Sequence, residues 1–247
     1  MHHYLNTLDH EPYLQPEDVD SWILFTGVDG KAFDHYFLHS LDERIMRSWS
    51  SYCYHHKFIL ARRITTAHEL AVIKFDRAIY QAIIPMGLRD QLDNLARAVR
   101  GDSYYGRKSP DSQFTPVTPL PPPYSRQWPS LVLKVAHSEA KLQSDVRYWL
   151  DTPGSEANVV STLQIERLMP QITIQKWTLR MGRKYLDQSI TITKQTKTRI
   201  QFRPKGHLVI NFRELFLRDP CYRETNINLD EGGLTMIAGA VWRHQEF

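Results

Sequence analysis

Lys134 is the residue whose type and position most demand a chemical explanation. It stands within Leu131-Val132-Leu133-Lys134-Val135-Ala136, an apolar run bounded by Pro129 and by His137-Ser138, as expected of a strand covered on both faces. An ammonium group there must pair, reach a sheet edge or serve a site, because burying it alone costs several kcal/mol or drives off its proton. A lysine desolvated in this way is suited to act as a base or a Schiff-base amine. His137 follows the strand directly and is suited to acid or base work, although a turn histidine bonded to backbone is the simpler account. His35 and His39, after Asp34, stand at i and i+4, the spacing of a helix-borne ligand pair, and His55-His56 lies nearby. No third ligand at fixed spacing, Cys-x-x-Cys or His-Glu-x-x-His accompanies them, so they read as surface or core histidines.

Several elements must position these groups. Glu139 to Leu150 reads as a helix after the Lys134 strand, followed by apolar strands at 157 to 165 and 171 to 179. Residues 65 to 100 carry helical spacing through Leu70, Ile73, Phe75, Ile79 and Ile83. The spacing resumes at Leu88, Leu92, Leu95 and Ala98, with Pro85 and Gly87 separating two helices and Arg100-Gly101 closing the second. Residues 101 to 130 hold seven of the fourteen prolines and read as a loop or extended connector. Asp230 is placed to cap a last helix over 233 to 243. Residues 1 to 60 are rich in aromatics and histidine, with no long helix evident. The expectation is one domain over 1 to 247, with an N-terminal extension to residue 60 and a core from 61 that includes the proline-rich loop.

At these residues the sequence resembles a group of fungal proteins with a PD-(D/E)XK nuclease-like core. In them a W-P-S-L-V-x-E-x-A/G strand precedes S-E/Q and a helix with an L-x-x-D-A-x-W-W-L type ending. The same frame appears as Trp128 to Ala136, Ser138-Glu139, Leu142, Asp145, Trp149 and Leu150. It extends to Asp111-Ser112-Gln113-Phe114-Thr115-Pro116, to Lys176-Trp177 and to Phe212-Arg213-Glu214-Leu215-Phe216, covering residues 107 to 242. The resemblance implies an α/β fold with a mixed central sheet flanked by helices, a restriction-endonuclease-like core. In an active member, two or three carboxylates hold Mg²⁺ or Mn²⁺, which activates water. Asp111 is the candidate first metal ligand, and Glu69 is a helix carboxylate that could reach it.

The family's strand glutamate is Lys134 here, and a lysine cannot coordinate a divalent cation. At about 4 Å and an effective dielectric near 20, the repulsion is roughly 8 kcal/mol. Glu139-Ala140-Lys141 is a literal E-x-K, but it begins on the helix after the strand. Asp111, Glu69 and Lys134 together therefore read as an ion-pair network in a retired site, with no cofactor expected unless a Mg²⁺- or Mn²⁺-dependent nuclease persists.

The formal charge of +4 is unevenly spread. From Lys176 to Lys205 there are nine basic residues and a single acid, Asp187. Arg180, Arg183, Lys184, Lys194, Lys197, Arg199, Arg203 and Lys205 would line a basic strand face able to track phosphates, or a solvated face that blocks edge pairing. Nucleotide-loop and serine-hydrolase motifs are absent. No run of 18 apolar residues and no basic-then-apolar leader occurs, which points to a nuclear or cytoplasmic protein with no membrane partner. Cys53 and Cys221 read as reduced thiols. Three functions follow: a catalytically impaired nuclease-fold protein that binds DNA or RNA, an active metal-dependent phosphodiesterase, or a fold reused as a small-molecule enzyme or protein-interaction module.

Overall fold

The computed structural model describes residues 22–62, 64–102, 106–117, 128–153, 155–195, 200–203 and 206–247. In chain order these form β1 (Trp22–Thr26), α1 (Gly30–Phe33, continuing as a π-helical turn to Leu38), α2 (Glu43–Ser48), β2 (Trp49–Cys53), β3 (Phe58–Arg62) and α3 (Thr66–Ile83). Next come β4 (Leu92–Asn94), β5 (Arg100–Asp102), β6 (Gly106–Lys108), β7 (Ser112–Pro116), β8 (Leu131–Ala136) and α4 (Glu139–Asp151). The chain ends through β9 (Val159–Ile165), β10 (Gln171–Arg180), β11 (Arg183–Lys194), β12 (Ile200–Arg203), β13 (Leu208–Ile210), α5 (Phe212–Phe216), β14 (Ile227–Leu229) and α6 (Glu231–His244). The described residues fall into two compact units, one within 1–65 and 101–109, the other within 66–100 and 110–247.

The first unit carries an antiparallel sheet in the order β1-β3-β2-β6-β5. Its aromatics pack on one another: Phe33 stacks on Tyr52 with centroids 4.0 Å apart and meets Trp49 edge-on at 4.9 Å. The second unit is a mixed α/β layer structure around a seven-stranded sheet in the order β12-β11-β10-β9-β8-β7-β4. Its one parallel pair is β8 with β9, joined through α4 as parallel neighbours require.

Side-chain alternation along β8 divides its partners. Leu131, Leu133 and Val135 enter the main core with residues of α3, α5 and α6, while Val132 packs with Val146, Trp149 and Leu150 of α4. Helices therefore cover both faces, and all six β8 residues are buried. The N-caps are side-chain acceptors: Ser138 for α4 and Asp230 for α6, each satisfying an otherwise orphaned N–H.

Three expectations need correction. The apolar residues at 88, 92 and 95 do not form a second helix. Gly87, at φ 71°, ends the helical stretch, a 3-10 turn follows at Arg89–Gln91, and Leu92 enters β4, paired with β7. Leu88 and Leu92 are buried while Leu95 is exposed, so inward-facing turn and strand positions had imitated a helical stripe. Within α3 the buried stripe is Ala67, Ala71, Phe75, Ala78 and Ile79, and Ile73 faces solvent. The small residues admit α6 closely, with Gly233 directly over Ala78 Cβ. Finally, residues 101 to 130 are not merely a connector, since β6 and β7 lie there and β7 is buried throughout. Pro121, Pro122 and Pro123 lie outside the described residues.

Asp76 of α3 illustrates the cost of packing a polar helix face against the sheet. Burial pushes its carboxyl up to about 6, despite hydrogen bonds with Ser112 and Asn94 that pull the other way. A folded pKa above the unfolded value means that the native state holds the proton longer, so stability falls as pH rises between about 4 and 6. The deficit above that window is at most about 3 kcal/mol. Asp76→Asn should raise stability at neutral pH and flatten the pH profile across that window, as read by urea unfolding across pH. A variant no more stable than the wild type at neutral pH would contradict this.

Candidate functional site

Lys134 projects from β8 on the same face as Val132, beneath α4. Its side chain is buried, with Nζ 3.3 Å from Asp111 Oδ2 and 4.0 Å from Asp145 Oδ2. Asp111 stands just before β7, where that strand ends its pairing with β8. The β7–β8 register runs only to Ser112↔Leu133, which would leave the Val135 N–H without a strand partner. The Asp111 carboxylate takes it: Val135 N donates to Oδ2 at 2.8 Å, and Asp111 N donates to the Leu133 carbonyl.

The other Asp111 oxygen also faces donors. His68 Nε2 is 3.5 Å and Arg97 Nη2 3.7 Å from Oδ1. His68 and Arg97 in turn each approach Glu69 Oε1 at 3.5 Å, and on the α4 side Lys141 Nζ lies 2.5 Å from Asp145 Oδ2. Among the described residues the cluster thus sets Lys134, Lys141 and Arg97 against Asp111, Asp145 and Glu69, with His68 between two carboxylates. Each charge is compensated locally, the condition under which ions can be taken out of water.

Of the residues singled out from sequence, Asp111, Lys134, Glu69 and Lys141 come together here. Glu139 does not join them. It is exposed in the first turn of α4, where its charge favours the positive end of the helix, so the Glu139-Ala140-Lys141 motif is split between solvent and cluster. His137 is held at the end of β9: its Nδ1 donates to the Ile165 carbonyl at 2.8 Å, and Gln164 Nε2 donates to the His137 carbonyl. Sequence reasoning missed His68 and Arg97. It placed Asp145 only in the helix frame, yet Asp145 is fully buried. An aspartate on the apolar side of an amphipathic helix, shortly before Trp149-Leu150, was the available signal.

These groups do not suit a divalent cation. Mg²⁺ and Mn²⁺ want several oxygen ligands converging on one point, whereas both Asp111 oxygens meet N–H groups and cations. Among the described residues no three His, Cys, Asp or Glu side chains are grouped to hold a metal ion. In the first unit, His39 Nδ1 meets the Asp34 carbonyl and the Asp34 carboxylate pairs with Arg107. Cys53 and Cys221 are free thiols.

The basic segment divides in a way sequence did not show. Lys176 is fully buried, with Nζ 3.0 Å from Asp187 Oδ2 and 2.7 Å from Glu214 Oε2, so it staples the sheet to α5. A register shift at Lys176/Trp177 leaves Asp187 as the extra residue of a bulge on β11. Burial works to raise the Asp187 carboxyl, but Lys176 and Arg180 outweigh it and hold it below the usual range. Arg180 lies over the Tyr185 ring at 4.0 Å and pairs with Asp187. Lys184 pairs with Asp151, and Lys194 donates to the Phe247 carbonyl. Arg183 and Arg203 are exposed, while Lys197, Arg199 and Lys205 lie outside the described residues.

No family model matches the chain, and no curated protein matches it. Among solved structures it is similar to a DUF820 protein from Anabaena variabilis that is described as a candidate nuclease. The likeness has 10% sequence identity and a TM-score of 0.42, covering 78% of this chain and 90% of that one.

Removing one partner of a buried pair strands the other charge. Lys134→Ala should destabilise the protein by about 3–5 kcal/mol in urea unfolding, whereas Glu139→Ala should stay within about 0.5 kcal/mol. Similar small effects from both would contradict the closed network.

Proposed function

We propose that this chain is a nuclease-like α/β protein that does not cleave and acts by binding nucleic acid through its basic strands. The observation that carries the first half is Lys134 Nζ, 3.3 Å from Asp111 Oδ2 under α4, at the position where the family it resembles has a carboxylate. A phosphodiesterase of that type needs its metal both to generate hydroxide and to neutralise phosphate charge, and the cations around Asp111 oppose such an ion.

Binding is supported by the exposed cations of β10–β12, led by Arg183 and Arg203 and joined by Arg180 at 59% side-chain exposure. Guanidinium groups there can reach phosphate oxygens with forked hydrogen bonds. The buried Lys176 takes no part. No helix among the described residues is long and apolar enough to cross a membrane.

The test combines cleavage and binding on the full chain. Labelled DNA and RNA should stay intact with Mg²⁺ or Mn²⁺, while fluorescence anisotropy at low salt should show binding that weakens steeply as salt rises. Charge reversal at Arg183 and Arg203 together should lower affinity about tenfold or more. Metal-dependent cleavage, or no binding of any polynucleotide at low salt, would overturn the proposal.

A further inference from the structure

The β10–β11 ladder runs beyond its neighbours. Pairing of β10 with β9 ends at Thr178↔Val159, and β12 pairs with β11 only over Thr191–Lys194. Among the described residues, 179–186 therefore form a two-stranded ribbon paired only with itself. Cross-strand pairing puts Arg180 opposite Arg183 and Thr178 opposite Tyr185, and the other pair is Leu179 with Lys184. One face thus carries Arg180, Arg183 and Tyr185.

At the tip, Met181 (φ 51°) and Gly182 (φ 70°) both take positive φ, the mark of a two-residue type I′ turn, which favours Asn-Gly or Gly-Gly. A long unbranched side chain in this conformation costs of order 1 kcal/mol or more. Met181 recovers nothing by packing, because it is fully exposed. An apolar residue that breaks the local backbone rule and buries no surface internally points to an external contact. Its surroundings set the partner's charge: Arg180, Arg183 and Lys184 flank it, residues 179–186 hold no carboxylate, and while Arg180 pairs with Asp187 and Lys184 with Asp151, Arg183 is exposed.

Resting on the nucleic-acid reading above, we infer that this ribbon enters the minor groove of duplex DNA, with Met181 as an apolar wedge against the base steps and Arg183 on a flanking phosphate. Two-stranded ribbons can bind in the DNA minor groove, where inserted apolar side chains unstack base steps and open the groove. An A-form RNA duplex has a wide, shallow minor groove, which gives a tip wedge little to close around. A single strand is disfavoured because one face of Tyr185, the ribbon's aromatic ring, is already covered by Arg180, leaving no two-sided stacking platform.

The experiment uses the full chain with a DNA duplex of about 20 base pairs (roughly two helical turns), its single strand, the equivalent RNA duplex and phosphatidylserine vesicles. Met181→Asn suits the turn better than Met and removes the wedge. The expected result is tightest binding to duplex DNA, with Met181→Asn weakening it about fivefold or more at unchanged salt slope. Arg183→Ala should instead reduce that slope by about 1. A 2-aminopurine probe in the duplex should brighten on binding wild type and not the Met181→Asn variant. Salt-dependent DNA binding that is indifferent to Met181 would remove the wedge yet leave the basic-strand reading standing. No polynucleotide binding would remove both, and vesicle sedimentation without DNA binding would reassign the tip to an anionic membrane surface.

Discussion

The ion pair between Lys134 and Asp111 is the constraint around which the second unit is arranged. A charge in the middle of a strand buried on both faces requires a counter-charge within reach, and the β7 entry supplies it. The same carboxylate completes the backbone bonding of β8 at Val135. Asp145 brings α4 over the strand, while His68 and Arg97 tie α3 and the segment after β4 to the remaining oxygen. One carboxylate thus serves as strand partner, counter-ion and anchor.

The sheet uses the same device on its other face. Lys176 sits among Ile172, Ile174 and Thr178, on the side covered by α5, and is neutralised by Asp187 and Glu214. Both lysines sit where an aliphatic residue would cost less, and both join elements distant in sequence. Such networks contribute little net stability against an apolar core of equal volume, but removing one partner is costly. Each ties a helix to the strand it covers, α4 to β8 through Asp145 and α5 to β10 through Glu214.

How much of this was legible in sequence depends on the kind of signal. The β8–α4 unit was readable because six consecutive buried residues and an amphipathic helix with a serine cap are local patterns. The Asp230 cap was readable for the same reason, although α6 begins two residues before the expected start. The false helix after Gly87 arose because Leu88 and Leu92 satisfy a helical period by coincidence, and only β7 reveals the second as a strand residue. In the site, Lys134 announced itself by breaking an apolar run. His68 and Arg97 could not, since each looks ordinary in its own segment and acquires meaning only when α3 and the loop after β4 meet at Asp111. Lys176 was misjudged for a similar reason: its counter-ions are Asp187, across a bulge, and Glu214, on a later helix.

We propose that the Lys134 ammonium group occupies Asp111 as an internal ion pair where a metal ion would otherwise bind. The most direct test is thermal unfolding of the wild type and of Lys134→Glu, each with and without Mn²⁺. The wild type should show no metal-dependent rise in Tm. The variant, left with a third carboxylate beside those of Asp111 and Asp145, should melt well below it and regain stability as Mn²⁺ is added, because a ligand that binds only the folded state stabilises it. A wild-type Tm that climbs with Mn²⁺ and loses that response in Asp111→Asn would contradict the account.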